Sequence, residues 1–441
     1  QRSERSLPAG NDILMRERSL MNHGKRILLL IVLAAAGLLA ASCGGGTDHN
    51  SPGTGTTPVQ VSWTYLVYMA GDNNISGFAK ADINEMEEIG STDSVNVVVM
   101  GELSTLDSPG GSTFTLRGRL TRDQDQTTIG SWYENIGNRD MTDPQTLTDF
   151  ITWTVENYPA DHYALVLWSH GAGWKAEGAS KGMIQDVTSS GFSHLMSLAD
   201  LGDAVRNSGT VMDIINFDAC LMGMYEVAYE LRGTATYLVF SEDYYPANGD
   251  PYDAILQDLT SDPSMSPAAL AEAICIRSRE FYAARDQSMI KSGVDLSLID
   301  DLDEGIRSLA EYLIDHLDAQ YENIEDARSS SVPMSADYTE NHDLGDFLEE
   351  LYALTNDAGL LGRISDVQQV LSQLVIFNEI HGTSPSDDIL EAQGLAIYLP
   401  SYGEKSINDL NSYATLSCNQ TPGATWSDFV NQFSAIDPDT R

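Results

Sequence analysis

From Trp63 onward, short apolar runs alternate with amphipathic stretches. "TYLVYMAGDNN" reads as a strand running into a turn, and "INEMEEIG" as the next helix. "VNVVVMGE" is a second buried strand, and "STFTLRGRLT" an antiparallel excursion. "DPQTLTDFITWTVENYP" predicts a helix with Asp143 as N-cap and Pro144 at the first helical position. "HYALVLWSHGAG" holds a third core strand. "SLADLGDAVRNSG" is a helix ended by Gly209. "MDIINFDAC" is the fourth strand, "LMGMYEVAYELRG" the helix directly after it, and "TYLVFSEDYYPANG" a fifth strand. Continuous apolar strands alternating with helices predict an α/β fold, a mostly parallel sheet covered on both faces.

After about Thr260 the pattern turns mainly helical. "SPAALAEAICIRSREFYAARD", "LIDDLDEGIRSLAEYLIDHLDA", "HDLGDFLEELYALT" and "ISDVQQVLSQLVIFNE" carry it, with a last helix around "WSDFVNQF". "GVDLSLI" and "GLAIYLPS" read as short strands. No internal repeat recurs at a fixed period.

The N-terminal pattern is different. Lys25 and Arg26 precede the apolar run Ile27 to Ala40, and small residues lead to Cys43. That is a secretion signal in composition, too short for a comfortable membrane span. The "AASC" ending resembles the lipobox of bacterial lipoproteins, which implies that Cys43 becomes the acylated first residue of an exported, envelope-anchored chain. Residues 1–20 read as upstream translation or a misassigned start. "GGGTDHNSPGTGTTPV" reads as a flexible tether. The expected organisation is therefore 1–42 upstream segment and signal, 43–62 tether, 63–260 catalytic domain, and 261–441 a mainly helical region completing it.

The 441 residues carry a formal net charge of -41. Such acidity repels nucleic acid and anionic lipid headgroups, so neither is an expected partner, and it could attract cationic substrates. The four cysteines, Cys43, Cys220, Cys275 and Cys418, are too few for a disulfide scaffold, although a Cys275–Cys418 bridge stays open. No HExxH or CxxC spacing, EF-hand-type loop or GxSxG elbow was found, so no metal ligand is assigned.

In open parallel sheets, ligands bind beyond the carboxyl ends of the strands. Three such ends are polar here: Gly71-Asp72-Asn73-Asn74, Ser169-His170-Gly171-Ala172-Gly173 and Asp218-Ala219-Cys220. A His and a Cys at two core-strand ends are base and nucleophile by position. The thiolate is the strong nucleophile, so His170 would take its proton. A helix starting just after Cys220 would lower the thiol pKa. Gly171 and Gly173 would keep the loop open to a substrate carbonyl. Backbone N–H groups of Gly171 and Cys220 could then hold the oxyanion.

"YLVYMAGDNN", "ALVLWSHGAGW", "INFDACLMGMYEVAYEL" and "GLAIYLP", in this order, resemble the clostripain family of cysteine peptidases, which share the caspase-like fold. "SHGAGW" and "DACLMG" are the specific motifs. The resemblance implies catalysis by His170 and Cys220, an oxyanion hole from Gly171 and Cys220, and cleavage after Arg or Lys. It implies that Asp218 lines the pocket for the substrate's basic side chain. A second pocket acid falls among Asp243, Asp250 and Asp253, with Asp250 put forward. It also implies self-cleavage after Lys181, or less favourably Lys175, and a calcium requirement in some relatives; nothing in the sequence itself demands a cofactor. The competing expectation is a non-enzymatic surface lipoprotein that binds peptides or glycans on the same fold.

Overall fold

The computed structural model describes residues 61–104, 113–131, 133–175, 183–187, 193–335, 337–384, 388–405 and 407–440. The signal, most of the tether, Cys43 and Lys181 lie outside the described residues. The strands are β1 (Trp63–Ala70), β2 (Val95–Ser104), β3 (Thr113–Arg119), β4 (Glu134–Asn135), β5 (His162–Trp168), β6 (Met183–Val187), β7 (Ser193–Met196), β8 (Met212–Asp218), β9 (Ala235–Phe240), β10 (Met289–Asp295), β11 (Asn341–Asp343), β12 (Val375–His381) and β13 (Ala396–Tyr398).

One nine-stranded sheet runs in the order β12-β10-β9-β8-β5-β1-β2-β3-β4. Its centre, β9 to β2, is parallel. Antiparallel β10 and β12 flank one side, β3 and β4 the other. All eight residues of β1 are buried, as a central strand covered on both faces requires. Leu66, Tyr68 and Ala70 enter one hydrophobic core; Tyr65, Val67 and Met69 enter the other.

The second core is closed by helices Ser76–Ile89, Tyr252–Ser261 and Pro267–Ala283. The first is closed by Pro144–Asn157, Leu198–Asn207 and most of the C-terminal helices, including Ile299–Asp315 and Ala358–Leu374. Asp143 caps its helix through a bond from the Gln145 N–H, and Gly209, at φ +73°, follows the helix Leu198–Asn207, as the sequence predicts. Among the described residues, no helix is long and apolar enough to cross a membrane.

Three elements differ from expectation. The helix after Cys220 spans only Tyr225–Glu230, because Leu221, at φ +62°, and Gly223 form a turn first. "VIFNE" is not the end of a helix: the helix stops at Leu374, and Val375–His381 pairs with β10 at the sheet edge. "GLAIYLP" does supply a strand, but in a separate two-stranded sheet with β11. Cys275 and Cys418 are free and sit in opposite cores, so no bridge joins them.

Candidate active site

Parallel register aligns the ends of three neighbouring strands. Met69 faces Trp168, and Trp168 faces Asp218. The segments that follow, starting at Gly71, Ser169 and Ala219, therefore emerge side by side. They bring His170 and Cys220 to one cavity of about 90 Å³, with Asp218 in its wall and Ile75, Trp168 and Tyr245 around it. A larger cleft of about 650 Å³ lies between Trp174, Leu198, Tyr229 and Leu416. It contains neither His170 nor Cys220, so size alone does not mark the chemistry.

Cys220 is half-buried. Its sulfur accepts the Tyr245 N–H at 3.3 Å and its S–H reaches the Tyr245 carbonyl at 3.5 Å. Leu221 N–H to Asp243 O and Gly223 N–H to Ser241 O tie the rest of the turn to the same segment. Burial raises the thiol pKa, with smaller raising contributions from the Asp218 and Asp243 charges. The expected lowering by a helix N-terminus is absent, because the helix begins five residues on. Burial also lowers the His170 pKa. Burial thus disfavours the charged form of each group, thiolate and imidazolium alike. Nε2 of His170 lies 2.6 Å from Oδ1 of Asn74, a residue the sequence reading quoted but gave no role.

Gly171 and Gly173 are needed for a reason other than openness. A Cβ on Gly171 would lie 2.1 Å from the Cys220 carbonyl oxygen. Gly173 has φ +63°, and a Cβ there would meet the Met224 sulfur at 2.4 Å. The two loops pack backbone against backbone, which sets the base-bearing loop on the nucleophile-bearing turn.

Asp218 is 5% exposed and points, with Ile214 and Asn216, to the second core's face. Its Oδ2 accepts the Tyr252 hydroxyl at 2.7 Å and the Asp250 N–H at 3.1 Å. Its pKa is pushed up to about 7, chiefly by burial and then by the Asp250 charge; Lys291 and Tyr252 oppose that. Asp82 stands nearby, taking the Trp168 indole N–H at 2.6 Å. Gly249, at φ +66°, closes over both acids: a Cβ there would lie 2.6 Å from Asp218 Oδ2 and 3.2 Å from Asp82 Oδ2.

Asp250, put forward as a second pocket acid, is sealed away from the cavity. It is fully buried and accepts from Lys291 Nζ (2.8 Å), Tyr245 OH (2.7 Å), Asn216 Nδ2 (2.7 Å) and Ser278 Oγ (3.2 Å). Oδ1 takes three of these donors and Oδ2 one, the side chain has no exposed surface, and the Lys291 ammonium neutralises its charge. Its backbone N–H is given to Asp218, and its side chain anchors the hydroxyl of Tyr245, which lines the cavity. Lys291 was missed by sequence reasoning, although a lone charge inside "MIKSGVD" was a signal.

Lys175, one of the two expected cleavage positions, is also engaged. Its ammonium pairs with Glu340 and lies about 5.5 Å from the ring centroids of Trp174 and Tyr398. Three carboxylates that the sequence reading did not group, Asp72, Glu102 and Asp186, lie within 4.8 Å of one another and are buried. All-oxygen, all-anionic donors of this kind fit a hard divalent cation. Asp186 is pushed up to about 6, by burial first and then by Asp140 and Asp72.

The comparisons with known proteins bear on family and fold. The Clostripain family model (peptidase C11) matches residues 67–433. Clostripain of Hathewaya histolytica is 28% identical over 221 residues, which are 44% of this chain and 41% of that protein. The chain thus matches about two-fifths of this curated relative's length. The crystal structure of a secreted C11 cysteine protease from Bacteroides thetaiotaomicron, in complex with an irreversible peptide inhibitor, superposes with a TM-score of 0.62 at 23% identity. That match covers 81% of this chain and 98% of the other. An inactive zymogen C11 protease from Parabacteroides distasonis gives 0.61 at 25% identity, covering 82% and 98%. With its family model matched over most of the chain and its sheet superposing on these proteases, the protein belongs to the clostripain family of cysteine peptidases.

Proposed function

We propose that this protein is a cysteine endopeptidase that cleaves after Arg or Lys. The observation carrying the reading is the single cavity that holds Cys220, His170 and Asp218 together. Asp218 Oδ2 already has two donors, which leaves Oδ1 to meet a guanidinium or ammonium group. The arriving cation replaces the compensation that burial denies this carboxylate, and favours its ionised form.

The thiol proton passes to the unprotonated ring nitrogen of His170 as sulfur attacks the scissile carbonyl carbon. The backbone N–H groups of Gly171 and Cys220 hold the developing oxyanion in this reading. Collapse breaks the C–N bond, His170 returns the proton to the leaving amine, and a thioester remains. Water, deprotonated by His170, then releases the acid and restores the thiol.

The chain is proposed to be exported and lipid-anchored at Cys43. Self-processing is assigned to Lys181, since Lys175 is held by Glu340; that one relative crystallised as an inactive zymogen supports a processing step. If calcium is required, Asp72, Glu102 and Asp186 would hold it. An ion held there would neutralise the mutual repulsion of these three buried carboxylates, which lie on β2, on β6 and just after β1.

The test is hydrolysis of fluorogenic peptides ending in Arg, Lys, Asp or Leu, beside Cys220→Ala and His170→Ala. Turnover of the Arg and Lys peptides that vanishes in both variants is the expected result. Silence toward every peptide, by intact and by processed chain, would leave the binding-lipoprotein reading standing instead.

A further inference from the structure

The Asn74 amide oxygen lies 2.6 Å from His170 Nε2, and an amide oxygen can only accept. We infer that Asn74 is a positioning residue for His170: it accepts the Nε2–H, which fixes the ring's orientation and leaves the lone pair on Nδ1 for the Cys220 proton. The inference rests on the dyad reading above and adds a third member to it.

Asn74 is itself exposed, so the question is what holds it in place. The answer is its neighbour. Asn73 is fully buried; its Nδ2 donates to the Ala70 carbonyl at 2.9 Å and to the Gln185 carbonyl at 3.1 Å. Its Oδ1 accepts the Ile75 N–H at 3.0 Å. The turn leaving β1 is thereby tied to β6 and to the start of helix Ser76–Ile89, and Asn74 projects from a fixed backbone. His170 is pinned on its own side: its carbonyl accepts the Ile184 N–H at 3.3 Å, and the preceding Ser169 hydroxyl accepts the Gln185 N–H at 3.0 Å. The two side chains therefore meet between supports that share β6. Such preorganisation matters for a base that must present one nitrogen and not the other. Without Asn74, the imidazole is free to turn about χ2 and to exchange tautomers, and only part of the population is competent.

The test uses the full chain with ¹⁵N-labelled histidine. In Cys220→Ala, His170 should give the nitrogen shifts of a neutral Nε2–H ring. Adding Asn74→Ala should replace that pattern by a tautomer average, while the melting temperature stays unchanged. In the active chain, Asn74→Ala should lower kcat by about 10- to 100-fold with KM nearly constant. Asn74→Asp, whose carboxylate accepts the same proton, should recover most of that loss. A neutral Nδ1–H ring in Cys220→Ala, or full kcat in Asn74→Ala, would overturn the assignment. Hydrolysis surviving in His170→Ala would instead strike the dyad itself, and the tautomer measurement would still read the Asn74–His170 bond.

Discussion

Lys291 and Asp250 form an ion pair at 2.8 Å in which neither side chain has any exposed surface. Lys291 also donates to the Phe217 carbonyl at 3.0 Å, next to Asp218 in the chain. The pair braces the strand end that carries Asp218, and it holds Asp250 in a fully buried ion pair. Breaking it by Lys291→Met leaves a buried carboxylate without its cation. The expected cost is about 3–5 kcal/mol, read by urea unfolding. Lys291→Met combined with Asp250→Asn should be clearly less damaging than Lys291→Met alone.

Asp218→Asn keeps the acceptor for the Tyr252 hydroxyl but removes the charge. Hydrolysis of Arg and Lys peptides should fall by about 10- to 100-fold in kcat/KM, the worth of one charge-assisted bond. Uncharged residues in that position should lose far less. Equal losses for both peptide classes would mean that Asp218 supports the wall rather than selecting substrate.

Stability should fall as pH rises through neutrality, and level off above it. Glu85, Asp218 and Glu226 are each pushed up to about 7, with burial the largest cause in every case. In the unfolded chain they titrate near ordinary carboxylate values, so the folded state binds more protons than the unfolded one. The linkage slope is then negative through their folded pKa values. Below about 6.5 the lowered pKa values of His170 and His342 work in the opposite sense, since the unfolded imidazoles take up protons first. The window from about pH 6.5 to 8 isolates the carboxylates. A drop in melting temperature on the order of 4 °C is expected across it, and calorimetry at several pH values checks the sign.

Processing should depend on Lys181 and not on Lys175. Lys175 cannot present its side chain to the Asp218 pocket while Glu340 and the rings of Trp174 and Tyr398 hold it. Lys181→Ala should leave a single band on a denaturing gel, whereas Lys175→Ala should still be cut.

Calcium should raise the melting temperature of the Cys220→Ala chain, and Asp186→Asn should abolish most of that rise. Using the Cys220→Ala chain separates ion binding from turnover. An unchanged melting temperature at millimolar calcium would rule these three carboxylates out as the site.

Much of this arrangement could be read from the chain. β1, β2, β5, β8 and β9 are buried on both faces, so their apolar runs are continuous and hard to mistake. "SHGAGW" and "DACLMG" stand where two of those runs end. Other parts were hidden because they depend on distant partners. "VIFNE" continues a helical pattern, and becomes a strand because β10 offers an open edge. Asp250 looked like a loop acid until Lys291, 41 residues later, was brought beneath it. Asn74 and His170 are 96 residues apart and meet only because β1 and β5 are neighbours. The glycines of the His170 loop were legible as special positions, but the Cys220 carbonyl and Met224 sulfur that require them were not.

The ladder between β5 and β8 runs from Ala164–Ile214 to Trp168–Asp218. A cut after Lys181 would fall between these strands in the chain, leaving His170 on one piece and Cys220 on the other. The nicked enzyme would then be a two-part machine held by backbone hydrogen bonds and packing alone. Its turnover would report on the cohesion of the sheet. Denaturant that parts the two pieces would end catalysis without breaking another covalent bond, and recovery on dilution would become bimolecular.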